Sequence, residues 1–98
     1  MEKGTPHHKL SVVRAWVEAG RVRATYSATR GASHLGLEMS GMLDVLMALS
    51  STDFYKSMTT YADHTLWHDV YRVGTRVGDV YLKLTIIDEV VIVSFKEL

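Results

Sequence analysis

The sequence predicts an α+β domain: helices first, then a small antiparallel sheet, with the helices packed on one face of that sheet. Two observations carry this. Between Leu10 and Leu49 the apolar residues recur at helical spacing, and from Leu66 onward the period changes to two. Composition agrees. With 47% hydrophobic residues in 98, the chain can bury one modest core, which predicts a single domain over residues 1–98.

Thr5-Pro6 reads as a helix start, a hydroxyl cap followed by proline in the first helical position. Leu10, Val13 and Val17 then repeat on one face, Val12 and Trp16 widen the stripe, and Gly20 is a stop. Val22 to Thr25 suits a short strand. A second helix is expected from about Tyr26 to Leu35, weakened by Gly31 and closed by Gly36. Ser40 is positioned to cap a third, whose Met42, Leu43, Val45, Leu46 and Leu49 suit burial. Ser50 to Asp53 offers fresh capping groups before a short helical turn carrying Phe54, Tyr55 and Lys56.

Leu66 to Val73 is rich in aromatic and β-branched residues and reads as a strand. Gly74 to Gly78 makes a loop. In the next strand Val80, Leu82, Leu84 and Ile86 alternate with Tyr81, Lys83 and Thr85. In the last, Val91, Val93 and Phe95 oppose Ile92, Ser94 and Lys96. Asp88-Glu89 suits the tight turn between them.

Several classes are excluded or disfavoured. No apolar run is long enough to cross a bilayer, and the polar start, Met1-Glu2-Lys3-Gly4, lacks the apolar stretch of a secretory signal. Cysteine is absent, which removes disulfides and thiolate metal sites; a cytoplasmic protein with no membrane partner is expected. Lys and Arg number 11, as do Asp and Glu. Zero net charge is awkward for a protein that grips phosphates. The cations Lys9, Arg14, Arg21, Arg23 and Arg30 nevertheless face only Glu18 in their segment. Two readings of this run stand side by side: a basic surface, or an ordinary solvated face of helix and turn.

Strand parity brings chemistry together. His68 shares a face with Arg72, Tyr81 shares one with Lys83, and Lys96 projects opposite Phe95. If the apolar residues of the last strands face the helices, Tyr81 and Lys96 lie on the open face; His68 joins them if Trp67 and Tyr71 point inward. Lys56 sits just upstream. Such a cluster suits metal-independent RNA cleavage. The 2′-hydroxyl needs a base, the leaving 5′-oxygen an acid, and the phosphorane cations. Histidine, which titrates near pH ~6.5, can serve either proton role. Tyr55 and Tyr81 can orient phosphates or stack on bases, which suits single-stranded RNA. Each residue also has an ordinary alternative: His68 as a hydrogen-bonded structural residue, Lys96 as a solvated cation, Tyr55 and Phe54 as core, Tyr81 and Lys83 as the wet face of a plain sheet. No metal or other cofactor is read. His64 and His68 are four apart, but on a strand that spacing separates them by ~13 Å, too far for one ion.

The run Asp53-Phe54-Tyr55-Lys56-Ser57-Met58-Thr59-Thr60-Tyr61, continued by Asp63-His64-Thr65-Leu66-Trp67-His68-Asp69-Val70-Tyr71-Arg72, closely resembles the motility and quorum-sensing regulator (MqsR) toxins. The resemblance extends to Met1-Glu2-Lys3, Thr5-Pro6-His7, Gly78 to Lys83 and Val91 to Glu97, nearly the whole chain. It implies a RelE-like sheet whose concave face bears the site. It also implies ribosome-independent cleavage of single-stranded mRNA at GC-containing triplets. Carried over by motif, Lys56, Tyr81 and Lys96 match the family's active-site positions, with Tyr55, Met58 and Arg72 nearby as RNA contacts; Lys83 joins these by parity. His68 departs from the pattern, which has glutamine there. The implied partner is a cognate antitoxin that binds zinc and DNA through its own domains, so this chain would meet DNA only indirectly. A second class stays open: a catalytically impaired homologue acting as a transcriptional co-regulator through its antitoxin. A generic small-molecule domain would need a phosphate loop or glycine fingerprint, and none is present.

Overall fold

Alternation in the second half builds a six-stranded sheet, as a computed structural model covering residues 1–98 shows. The elements in chain order are β1 (Glu2–Lys3), α1 (Leu10–Glu18), β2 (Val22–Ala24), α2 (Tyr26–His34), α3 (Met39–Met47), a 3₁₀ turn (Ser51–Asp53), β3 (Phe54–Thr59), β4 (Trp67–Thr75), β5 (Gly78–Ile86) and β6 (Val90–Glu97). The sheet order is β1-β3-β4-β5-β6-β2. Every pairing is antiparallel except β2 with β6, which is parallel. The class is α+β, with the helices on one side.

The core lies between helices and sheet. Val13, Ala28, Ala32, Met42, Leu46 and Leu49 from the helical side meet Tyr71, Val73, Val80, Leu82, Leu84, Ile92 and Phe95 from the strands. Burial of these side chains supplies most of the driving force, at roughly 25 cal/mol per Å² of apolar surface. Helix α2 lies so close to β6 that a Cβ on Gly31 would come within 1.8 Å of the Phe95 carbonyl oxygen. Gly31 is therefore a contact requirement of the fold as well as a weak point in the helix.

Several expectations are corrected. The chain does not enter a helix at Thr5-Pro6. Helix α1 starts at Leu10, with Lys9 in the cap position and no side-chain cap. A long-range contact overrides the local signal: the His7 and His8 backbone N–H groups donate to the two carboxylate oxygens of Asp69, at 3.0 and 2.8 Å. Asp69 is fully buried on β4, and it holds residues 7 and 8 outside the helix. His7 stacks on Trp67, and the Lys3 ammonium lies 4.2 Å from the centre of that ring. Upstream, Glu2 and Lys3 pair with Met58 and Ser57 as an edge strand.

Glu38, and not Ser40, occupies the cap position of α3. Phe54 to Lys56 are not a helical turn but the start of β3. The turn is Ser51–Asp53, closed by a capping box between Ser50 and Asp53, and it ends where the β-rich residues begin. In β6 the expected alternation fails at one point. Lys83 pairs with Ser94 but Leu84 pairs with Ile92, leaving Val93 as an extra, bulged residue. Val90, Ile92 and Phe95 thus face the helices, whereas Val91, Ser94 and Lys96 face away. The loop expected from Gly74 to Gly78 is tighter, with β4 running to Thr75 and β5 starting at Gly78.

Candidate active site

The sheet face turned away from the helices carries the candidate residues in cross-strand rows. Arg72, Tyr81 and Lys96 lie directly opposite one another on β4, β5 and β6. Lys56, Val70, Lys83 and Ser94 form the next row, from β3 to β6. Glu2, Met58 and His68 form the third, on β1, β3 and β4. Opposed residues on one face hold their Cβ atoms about 4.5–5.5 Å apart, so each row is a line of touching side chains.

Two bulges put the lysines there. Phe54 pairs with Tyr71 and faces the helices, yet Lys56, two residues on, pairs with Val70 and faces away. Plain alternation would have sent Lys56 inward. The extra residue is Tyr55, whose half-exposed ring lies beneath the Arg72 guanidinium at 3.5 Å and 5.4 Å from the Lys56 ammonium. The bulge at Val93 does the same for β6: it lets Ile92 face the core and Lys96 face out. The Lys96 ammonium sits 5.0 Å from the centre of the Tyr81 ring. The structure thus brings together on one face Tyr55, Lys56, Met58, His68, Arg72, Tyr81, Lys83 and Lys96, the residues expected to catalyse or to contact RNA.

The electrostatics differ from lysine to lysine. The Lys56 ammonium donates to Glu2 Oε1 at 2.7 Å, and this hydrogen bond holds Lys56 above the usual lysine range and Glu2 below the usual carboxylate range. Burial, reinforced by the neighbouring Lys96 and Lys56 charges, pushes Lys83 down. Burial likewise pushes the His68 imidazole down, and the Lys83 charge adds to it. His68 therefore favours its neutral form near pH ~7. Tyr71, directly behind this face, is pushed up to about 12 by burial and the Asp69 carboxylate.

Glu2 is the residue that sequence reasoning missed. A two-residue strand has no periodicity to read, and only the pairing of Glu2 with Met58 puts it on this face. The basic run from Lys9 to Arg30 does not form one free patch. Arg14 donates to the carbonyls of Met47 and Leu49, Arg21 to that of Asp88, Arg23 pairs with Glu89, and Arg30 lies against Tyr26. His64 lies in the loop ahead of β4, so it and His68 do not share a strand. No three His, Asp or Glu side chains are grouped as metal ligands.

The open sheet face is thus lined with ammonium, guanidinium and phenol groups, chemistry that suits an extended anion. Residues 5–97 match the family described as motility quorum-sensing regulator, toxin of MqsA, and the chain belongs to that family. It is 59% identical over 97 residues to the mRNA interferase toxin MqsR of Escherichia coli (strain K12), covering 99% of both chains.

Proposed function

We propose that this chain is an mRNA interferase toxin, an endoribonuclease that cleaves single-stranded mRNA without ribosome or metal and is neutralised by a cognate antitoxin. One observation carries the reading: Arg72, Tyr81 and Lys96 in one row, beside Lys56 and His68, on the open face of a chain so similar to a named mRNA interferase. In the reaction the substrate's 2′-hydroxyl loses its proton and attacks the adjacent phosphorus. The 5′-oxygen leaves with a proton, and a 2′,3′-cyclic phosphate remains. Lys56, Arg72 and Lys96 offset the charge that builds on the phosphorane, usually the largest catalytic contribution. Tyr81, between Arg72 and Lys96, orients the phosphate. Tyr55 and Met58 offer surfaces for bases, and Lys83 contacts the backbone. His68 contacts the base or phosphate. Cleavage favours GC-containing triplets, and the partner is a zinc- and DNA-binding antitoxin in the cytoplasm; both follow from the family resemblance.

The test is cleavage of single-stranded RNA by purified protein in EDTA. The expected products end in 2′,3′-cyclic phosphate or its 3′-phosphate hydrolysis product. Activity that vanishes in chelator and returns with magnesium would overturn the mechanism. Absence of growth arrest from a chain that still binds its antitoxin would favour the co-regulator.

A further inference from the structure

A carboxylate beside a phosphate-binding ammonium is unexpected in a site for RNA. Glu2 Oε1 nonetheless lies 2.7 Å from Lys56 Nζ. We propose that Glu2 is a positioning residue: from β1 it holds the Lys56 ammonium in place on the open face, which makes the N-terminal strand part of the active site. The inference deepens the ribonuclease reading and rests on it.

Three features support it. The first is that the strand is secured by contacts that do not involve the Glu2 side chain. The Thr59 N–H donates to the Met1 carbonyl at 2.9 Å, and buried Asp69 captures the His7 and His8 N–H groups. A fully buried carboxylate that spends both oxygens on the segment behind β1 keeps residues 1–8 along the β3–β4 edge. The second is the side chain that needs holding. Lysine is a point charge on a flexible four-carbon stem, and Glu2 is the hydrogen-bond and ion-pair partner of the Lys56 ammonium, with the Tyr55 ring 5.4 Å away. The third is donor arithmetic. An ammonium carries three N–H groups, so one bond to Glu2 leaves two for phosphate oxygens. Positioning and phosphate binding are compatible, and Glu2 need not leave for RNA to arrive. The same contact holds Lys56 above the usual lysine range.

Two measurements test the proposal. The first needs no RNA. The Lys56 Cε resonance, followed by NMR in the intact protein, should report a carboxylate that titrates below the usual glutamate range. In Glu2→Gln the Lys56 titration itself should move to lower pH. A Lys56 resonance blind to any carboxylate, or unmoved by Glu2→Gln, would overturn the contact whatever the enzyme does. The second is steady-state cleavage. Glu2→Gln should lower kcat by about tenfold or more. KM should stay the same or fall, since a negative charge has gone, and the alkaline limb of the pH–rate profile should move to lower pH. Glu2→Asp should retain more activity than Glu2→Gln. The Glu2 side chain is 59% exposed, so the thermal midpoint should barely change. A kcat equal to or above that of the parent would overturn the positioning role. Absence of any ribonuclease activity in the parent, with the Lys56 shifts intact, would instead count against the ribonuclease reading alone.

Discussion

Lys56 and His68 sit one strand apart on the same face, and burial and charge treat them oppositely. Glu2 holds Lys56 above the usual lysine range, which suits the fixed charge proposed for it at the phosphate. Lys56→Ala is expected to abolish growth arrest and to slow cleavage by about a hundredfold or more. Its circular dichroism should be unchanged, because the side chain points away from the core. His68 is kept neutral by burial. Its folded pKa is below that of the unfolded chain, so the unfolded state binds the extra proton first. The His68 contribution to stability is thus complete above pH ~6.5 and is lost as pH falls from there through the folded value. His68→Gln should flatten this acid decline in denaturant midpoints recorded between about pH 5 and 7.5. Because the family pattern that the chain resembles has glutamine there, the same variant should cleave RNA with a similar pH–rate curve and a changed triplet preference. A folded, antitoxin-binding His68→Gln that is slower by a hundredfold, ~2.7 kcal/mol of barrier, would instead assign proton transfer to His68.

At the level of elements, the two bulges and the contact between α2 and β6 decide what reaches the open face. Without the extra residues Tyr55 and Val93, Phe54 and Ile92 could not face the core while Lys56 and Lys96 share a face with Tyr81. Lys96 depends on α2 as well, since its strand carries the Phe95 carbonyl against which Gly31 is pressed. Gly31→Ala would normally favour a helix. Here it must push α2 off the sheet, and a loss of about 1–3 kcal/mol is expected in urea unfolding, as for other overpacked sites. Stabilisation on this substitution would mean that the helix has room to shift. These elements also mark how far the sequence could be read. The alternation of Val80 to Ile86 is uninterrupted, so the shared face of Tyr81 and Lys83 was legible. The placement of Lys96 opposite Phe95 was legible too, because the bulge lies upstream of both. Val91 and Ile92 were assigned to the wrong faces, since nothing in an apolar run announces which residue will be skipped. The Thr5-Pro6 start signal was correct as local chemistry; it lost to a carboxylate some sixty residues away.

Over the whole molecule, zero formal charge conceals an uneven distribution. The open face collects Lys56, Arg72, Lys83 and Lys96, while acids such as Asp88 and Glu89 lie in the turn between β5 and β6. Binding of single-stranded RNA should therefore weaken with salt. Each neutralised phosphate contributes about −0.7 to the slope of log affinity against log salt, so contacts from these cations give a slope of roughly −2 to −3. A filter-binding series on a cleavage-deficient variant measures it. A slope near zero would show that the face does not grip phosphates. Isolated net charge would have given no hint of this, because what counts is which cations reach the open face and which, such as Arg14 and Arg21, are spent on backbone carbonyls elsewhere.

The parallel pairing of β2 with β6 also has a consequence for the order in which the protein is made. Residues 22–24 find their only strand partner at residues 90–92, and α2 rests on that same late strand. Early segments must therefore wait, unpaired, until residues 90–92 have been synthesised, and Lys96 arrives with that same strand. With the role proposed for Lys96, a chain halted before residue 90 lacks both the closing strand and part of its site, so synthesis would pass through an interval without activity. Chains halted before Val90 should be protease-sensitive and harmless on expression, and growth arrest from such a fragment would contradict this dependence on β6.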